Sequence, residues 1–427
     1  MTEVLEGVDA RVARKVLWRL MPFLCLLFIV NYLDRTNVAM AKLRMSGDVG
    51  LSETIYGLGT GLFFIGYFIF EVPSNLIMER VGARRWIARI MLSWGVVSAG
   101  MMFVRGPASF GALRFLLGAA EAGFFPGIVL FLTYWVPARR RAAVMAWFLT
   151  STATSGIIGN PLAGALMKLD GARGLHGWQW LFLVEGALPV VMGVVVWKIL
   201  PDRPAEARWL SAEEAAWINE ELRGERQEHP GHVAELRAAI RDGRLWLLSG
   251  IYFMIIMGLY GFVYWVPTII KSVSPGVTDV KIGLLAAIPY VVGAVTMVVV
   301  GKHSDHTEER RWHVAACCAI AAAGVMMVAW GTSHGFVMGA LCVAAVGIFG
   351  SLGPFWALAT HFLRGSAAAG GIAIVNSIGA LAGFVAPFVI GWAKDATGRF
   401  TGGLLVVAGA LVCGAALVLM VGEYGRS

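Results

Sequence analysis

The chain has 427 residues, of which 58% are hydrophobic and only 15% are charged. Soluble domains carry about 25% charged residues, so this composition excludes an ordinary soluble globule and favours a polytopic membrane protein. The net charge is +8, but the basic residues stand in short segments between apolar runs, so we expect no nucleic-acid partner. All five cysteines lie in apolar runs without metal-ligand spacing, which predicts packing roles for Cys25, Cys317, Cys318, Cys342 and Cys413.

Hydropathy predicts twelve membrane-spanning helices joined by short loops. A polar segment, 201–244, divides them six and six, so we expect six-helix bundles at 1–200 and 245–427 with a cytoplasmic linker between them. In the linker, a helix-start pattern at Ser211-Ala212-Glu213-Glu214 predicts an amphipathic helix to about 228, and a second short helix is predicted over about 233–241. The predicted spans are 17–41, 53–79, 84–104, 108–136, 141–167, 178–200, 245–271, 280–301, 312–331, 335–361, 367–393 and 402–422.

The first span contains an acid and a base side by side, Asp34 and Arg35. Ionisable groups at membrane depth are costly, so they usually face a partner or a water-filled path. Adjacent residues on a helix point about 100° apart, so we expect these two side chains to have different partners. In the fourth span, Arg114 and Glu121 are about two turns apart on one helix face. Our hypothesis is that the arginines attract an anion and the carboxylates take up protons.

The distribution of Lys and Arg predicts the orientation in the membrane. Of the 35 basic residues, 22 fall in segments on the side of the N-terminus and nine on the opposite side. This excess predicts that both termini and the linker are cytoplasmic. The positive charge then faces anionic lipid.

Two loops on the predicted cytoplasmic side echo each other, each with an acid followed by an arginine pair. We expect these loops to hold an inner gate shut through charge pairs. Six plus six spans with such echoes indicate a transporter built from repeats, with its substrate near the midplane between them. The predicted gate residues are Glu79, Arg80, Arg84 and Arg85 after the second span and Asp305 after the eighth.

At this point the sequence resembles the major facilitator superfamily and, within it, the anion:cation symporter family. The stretches that carry the resemblance are Asn31-Tyr32-Leu33-Asp34-Arg35-Thr36-Asn37, Phe70-Glu71-Val72-Pro73-Ser74-Asn75 and Arg114-(x6)-Glu121. That family includes bacterial permeases for tartrate, sugar acids and aromatic acids, and animal vesicular glutamate and sialic-acid carriers. The bacterial tartrate and aromatic-acid branch is the most similar. The resemblance implies an all-α membrane protein of twelve helices in two pseudo-symmetric six-helix bundles.

The resemblance also implies roles for particular residues. It implies that Arg35 contacts substrate and that Asp34 and Glu121 couple protons. A structural pair of Arg35 with Asp34 or Glu121 is the alternative, and Arg114 is equally compatible with contact to substrate or to Glu121. We expect the substrate site to comprise Arg35, Tyr32, Tyr67, Arg114, Trp356 and Asn376, with protons carried by Asp34 and Glu121.

Other polar groups within the spans receive weaker predictions. Tyr252, Tyr260 and Tyr264 in the seventh span are weaker candidates for the site, because aromatic residues there are often packing, and Asn376 is also compatible with a role in joining helices. Glu71 is expected to be a gate or packing partner and Glu185 to be structural. Some sugar-acid members carry a glutamine where this chain has Thr152 and Ser155, which argues against galactonate-like recognition.

We therefore expect no enzyme but a proton-coupled symporter for a small organic anion, monomeric, in a bacterial inner membrane. No cofactor beyond the coupling proton is expected. The alternatives are a proton-coupled drug or metabolite antiporter and, further away, a transporter-like nutrient sensor. Paired arginines argue against cationic drugs. The sequence contains no metalloprotease, hydrolase or phosphate-loop motif at membrane depth.

Overall fold

The computed structural model describes residues 2–227, 241–363 and 367–421, and over these residues it is all-helical, without strands. The helices that precede the linker are α1 (Thr2–Val49), α2 (Glu53–Val81), α3 (Ala83–Gly100), α4 (Pro107–Glu121), α5 (Phe124–Thr133), α6 (Ala138–Leu166) and α7 (Gly177–Ile199). The linker contains α8 (Ala212–Gln227). The helices that follow it are α9 (Gly243–Ser272), α10 (Asp279–Thr307), α11 (Arg311–Trp330), α12 (His334–Phe362), α13 (Ala367–Thr397) and α14 (Thr401–Met420).

Within the described residues, eleven stretches are long and apolar enough to cross a membrane, with α4 and α5 counted together. The predicted span 141–167 corresponds to α6, several of whose side chains lie outside the described part of the chain. The all-α membrane fold is thus confirmed. The first helix is longer than hydropathy predicts: α1 runs from Thr2 to Val49 and so extends at both ends beyond the apolar stretch 17–41.

The predicted fourth span, 108–136, corresponds to the stretch Pro107–Thr133, within which the helix breaks between α4 and α5. Gly123 has φ +86°, a left-handed conformation that glycine adopts without steric cost. A Cβ at this position would lie 2.2 Å from Ser74 Oγ, so a side chain does not fit. The break directly follows the buried Glu121, which is the last residue of α4.

The first linker helix forms as predicted. The Ser211 hydroxyl accepts from Glu214 N at 3.1 Å, and the Glu214 carboxylate accepts from Ser211 N at 2.8 Å, so the two residues form a capping box. Glu214 also pairs with Lys15 at 2.6 Å, which docks α8 against α1. The hydrogen bonds from Lys15 and Ser211 hold the pKa of Glu214 below its ordinary value. Most of the second predicted linker helix, 233–241, lies outside the described residues.

The helices before and after the linker, hereafter the first and second halves, meet along two helix pairs. α2 packs against α13, and α6 packs against α10. The approach is close enough to require glycine: a Cβ on Gly57 would lie 2.3 Å from the carbonyl oxygen of Pro387, and one on Gly283 would lie 2.3 Å from that of Asn160. Such contacts resemble the small-residue interfaces of membrane helices.

Polar contacts also join the halves at one end of the molecule, the end that contains the α1–α2 connection. Arg44 pairs with Asp279 at 2.8 Å, and Lys271 donates to the carbonyl oxygen of Leu43 at 2.8 Å. The carboxylate of Asp395, near the end of α13, accepts from Thr54 N at 2.7 Å and so caps the start of α2. We call this set of contacts the polar clasp. It joins the two halves at this end of the molecule.

The predicted gate residues lie towards the opposite end, and the contacts described here for Arg84 and Asp305 do not join the two halves. Arg84 N donates to Asp202 at 2.7 Å, and the Asp305 carboxylate pairs with Arg310 at 2.7 Å. Glu79, Arg80 and Arg85 are exposed, while Asp305 is also mostly exposed. Their role in gating remains a prediction.

Candidate functional site

A partly open cavity with an empty volume of about 730 Å³ lies between the two halves. Five of the six predicted substrate residues line it, namely Tyr32, Arg35, Tyr67, Trp356 and Asn376. The remaining lining residues are mostly apolar or aromatic: Phe28, Phe64, Phe125, Thr152, Tyr252, Ile256, Leu259, Tyr260, Leu352 and Ala380.

Arg35 is the charged group on the cavity wall. Its Nε donates to Glu121 Oε1 at 2.6 Å, and Nη2 lies 2.5 Å from the same oxygen. Its Nη1 donates across the interface to the hydroxyl of Tyr260, on α9, at 3.2 Å. The guanidinium carbon is 5.1–5.6 Å from the ring centroids of three aromatic residues, Tyr32, Phe63 and Tyr67. A planar cation held this way presents its remaining N–H groups in a geometry suited to a carboxylate.

Tyr260, one of the weaker candidates of the seventh span, contacts Arg35 directly. Both Tyr260 and Tyr252 line the cavity, and Tyr260 is the one direct hydrogen-bond partner that the second half gives Arg35 among the described residues. The signal in the sequence is the spacing of Tyr252, Tyr260 and Tyr264, which places them near one face of a helix at intervals of eight and four. Tyr264 stacks on Tyr260 with ring centroids 5.7 Å apart.

Arg114 is fully buried, yet none of its three side-chain nitrogens has a hydrogen-bond partner among the described residues. It lies on α4 two turns before Glu121, but Glu121 bonds to Arg35 instead. Of the two contacts left open by the sequence, the one with Glu121 therefore does not form here. The Arg114 guanidinium carbon is 4.9 Å from the ring centroid of Phe63, the same ring that Arg35 approaches. Arg114 is not among the residues that line the cavity.

Asp34 points away from the cavity, towards α3. Its carboxylate accepts from Trp94 Nε1 at 2.6 Å, from Asn37 Nδ2 at 2.9 Å and from the hydroxyl of Ser98. Three donors on one carboxylate stabilise its ionised form. The expectation that Asp34 and Arg35 have different partners is confirmed.

The second half contributes neutral groups to the cavity. Trp356 packs edge-on against Tyr252 with ring centroids 4.9 Å apart. Asn376 Nδ2 approaches Glu71 Oε1 at 3.4 Å, and the neighbouring Ser377 hydroxyl donates to Glu71 Oε2 at 2.9 Å. Glu71 thus joins α2 to α13, which is the packing contact expected for it. Asn376 both lines the cavity and takes part in this contact.

The sequence matches the Major Facilitator Superfamily over residues 24–387. The chain belongs to this superfamily. It is accordingly a multi-pass membrane protein of a transporter family, and the resemblance to bacterial tartrate permeases is supported by its relatives. A protein of Agrobacterium vitis named "Putative tartrate transporter" is 49% identical over 98% of this chain and 92% of that protein.

Two further matches bear on function and fold respectively. The "Quinolone resistance transporter" of Acinetobacter baumannii is 41% identical over 96% of this chain and 94% of that protein. The crystal structure of a bacterial homologue of the human lysosomal transporter Spinster, in an inward-facing and unoccupied conformation, superposes with a TM-score of 0.78 at 16% identity. It covers 96% of each chain. At that identity the likeness concerns the superfamily fold alone.

Proposed function

We propose that this member of the superfamily is a symporter that couples proton entry to the uptake of a small organic anion by alternating access. The observation that carries the proposal is the ion pair between Arg35 and Glu121 at the wall of the central cavity. Arg35 and Arg114 both adjoin Phe63, and the described residues give these two cations a single bonded carboxylate, Glu121. That imbalance favours an anion in the cavity.

Competition for Arg35 supplies the coupling. A substrate carboxylate that binds the guanidinium displaces Glu121, which is then buried without its counter-ion. An unpaired buried carboxylate is strongly disfavoured, so Glu121 takes up a proton as the substrate binds. Protonation of Glu121 in turn weakens its hold on Arg35 and frees that residue for the anion. Binding of the proton and binding of the anion therefore favour each other.

The aromatic and amide groups hold the rest of the substrate. In the proposal, Trp356 and Tyr252 pack against its carbon skeleton, and Tyr67 and Asn376 bond to its hydroxyl or carbonyl oxygens. A cavity with one guanidinium and several neutral donors suits hydroxy acids and aromatic carboxylates. The name of the Agrobacterium relative supports tartrate as the first compound to test.

The direction of transport follows from charge. We propose that the protein lies in a bacterial inner membrane with both termini in the cytoplasm, as its basic segments indicate. A monovalent anion entering against an inside-negative potential works against about 2.3 kcal/mol per 100 mV. More than one proton per monoanion makes each cycle carry net positive charge inward, so the potential then drives uptake.

Binding is tested by thermal stability of the purified protein against a panel of small organic anions. A ligand at about 100 times its Kd stabilises by about 2.7 kcal/mol, so one acid class should raise the midpoint of wild type. Arg35→Ala should lose the shift. Arg105→Ala, which removes an exposed arginine outside the cavity, should keep it. An equal shift in Arg35→Ala would remove Arg35 from the site.

The second candidate function is proton-driven efflux of a drug, which is favoured by the 41% sequence identity to the quinolone resistance transporter. Uptake into proteoliposomes with an inward proton gradient separates the two. Accumulation of a labelled acid that unlabelled anions inhibit supports symport. Proton-driven transport of a quinolone in the direction opposite to the protons, at a rate that those anions do not change, would support efflux instead.

A further inference from the structure

Behind the cavity, a second acid approaches Asp34. Glu185, on α7, is 2% exposed and Asp34 is 1% exposed. α7 packs against both α1 and α3, and this packing brings the Glu185 carboxyl group close enough to Asp34 for the two charges to interact. We call Asp34 and Glu185 the buried acid pair. Asn37, one turn after Asp34, donates from Nδ2 to Asp34 Oδ1 at 2.9 Å.

The two acids have unequal surroundings. Asp34 accepts three hydrogen bonds, whereas neither oxygen of Glu185 has a hydrogen-bond partner among the residues described. Further unpartnered polar atoms belong to the α1 residues nearby: Asn37 Oδ1, and both polar atoms of Asn31, which is one turn before Asp34. Donors favour a charged carboxylate, and their absence in an apolar setting favours a neutral carboxylic acid.

The charged groups around the pair do not neutralise it. On α1, Arg35 directs its guanidinium to Glu121. On α4, Glu121 adds to the negative charge that Asp34 experiences, and Arg114 makes no hydrogen bond to either acid. The α3 residues at Asp34 are Trp94 and Ser98, which are neutral donors. In the described structure, no Lys or Arg side chain forms an ion pair with Asp34 or Glu185.

Two negative charges cannot share such a site, because each lacks a counter-ion and each repels the other. One of the two acids must hold a proton, and the distribution of donors assigns it to Glu185. We propose that Glu185 is a further proton-binding residue of this carrier, and that it is neutral whenever Asp34 is ionised. The two acids then titrate as a unit. The inference extends the proton coupling proposed above, but its test requires no transport.

Infrared spectroscopy of the reconstituted protein at neutral pH tests the assignment directly. A protonated carboxyl group has a carbonyl stretch distinct from that of a carboxylate, and it shifts in D₂O. We expect wild type to show this band, Glu185→Gln to lose it and Asp34→Asn to keep it. A band that survives in Glu185→Gln would show that Glu185 does not hold the proton, and so would overturn the proposal.

Thermal stability as a function of pH gives an independent test. The unfolded chain ionises its glutamates above about pH 4.3, so retaining a neutral acid costs folding free energy that rises with pH. Glu185→Gln, which stays neutral, should gain stability relative to wild type as pH rises from 5 to 8. If Glu185 has only a packing role, Glu185→Gln should be less stable than wild type by the same amount at every pH from 5 to 8. A Na⁺-dependent increase in the wild-type midpoint, absent from the variant, would assign the site to a metal cation and contradict the proton.

These readouts separate the inference from the proposed function. Failure of proton-driven uptake in wild type would remove the symport proposal, while the infrared band would still report on Glu185. Absence of the band from wild type, or its survival in Glu185→Gln, together with intact proton-driven uptake, would remove Glu185 and leave the ion pair of Arg35 and Glu121 as the coupling device.

Discussion

At the scale of single residues, the central feature of the cavity is that Arg35 pairs with Glu121 and not with Asp34. The sequence places two acids within reach of it, and helix geometry alone separates Arg35 from Asp34, its neighbour. That Arg35 pairs with Glu121 and not with Asp34 depends on the tertiary arrangement that brings Glu121 of α4 to Arg35 of α1, which no local pattern encodes. The spacing of the seventh-span tyrosines marks Tyr260 as a candidate, but its hydrogen bond to Arg35 depends on how the two halves pack, which the sequence does not show.

Tyr260 offers a test of the bond across the interface. Tyr260→Phe removes the hydroxyl that accepts from Arg35 at 3.2 Å. A hydrogen bond to a charged group is worth about 1.5–3 kcal/mol, so we expect substrate affinity to fall about tenfold or more. Tyr264→Phe is the matched control, because the Tyr264 hydroxyl is buried without a hydrogen-bond partner in the described structure. Isothermal titration of both variants measures the difference, and equal affinities would show that the bond contributes nothing to binding.

Glu121 is predicted to link substrate to proton. Glu121→Gln keeps an oxygen that accepts from Arg35 but removes the titratable group. We expect gradient-driven accumulation in proteoliposomes to be lost, while exchange of labelled for unlabelled substrate continues. Glu213→Gln, at an exposed position in the linker helix, serves as the control and should accumulate substrate normally. Accumulation by Glu121→Gln under a proton gradient would mean that another group carries the obligatory proton.

At the scale of elements, hydropathy predicts where the membrane helices lie, but it does not predict the break between α4 and α5. Apolar stretches located the spans because each must bury its backbone within the bilayer. The break after Glu121 occurs inside an apolar stretch, so hydropathy is blind to it. Gly123 permits the break, but the contact with Ser74 that excludes a side chain comes from α2. The start of the linker helix could be predicted from the sequence, because Ser211 and Glu214 form a local capping pattern.

The docking of α8 on α1 should depend on pH. Because the pKa of Glu214 is below its ordinary value in the folded protein, its contribution is present above about pH 4.3 and is lost as pH falls through the folded pKa. Lys15 is 41% exposed, so the pair is worth at most about 1 kcal/mol. Limited proteolysis of the linker should therefore accelerate at acid pH and in Glu214→Gln. The matched variant Glu213→Gln should behave as wild type, and indistinguishable rates in all three would argue against the docking.

At the scale of the whole molecule, the polar clasp predicts which end of the cavity is sealed. Arg44→Ala and Asp279→Asn each remove one side of an ion pair between the halves. Since an exposed pair is worth about 0–1 kcal/mol, we expect a shift in the population of open and closed states and no loss of fold. Distances between spin labels on α2 and α13 at that end measure the shift. Unchanged distance distributions in the double variant would show that helix packing alone keeps this end closed.

The division of chemistry between the halves has a consequence for how such carriers diversify. In the described structure, Asp34, Arg35, Arg114, Glu121 and Glu185 all belong to the first half, whereas the second half faces the cavity with neutral tyrosine, tryptophan and amide side chains. In the proposed function, the groups that couple protons are therefore all encoded before the linker, while the second half adds only neutral contacts to the substrate. We expect a chimaera that takes α9–α14 from a relative to change substrate preference and to keep proton coupling, provided that the new segment retains a hydroxyl in reach of Arg35.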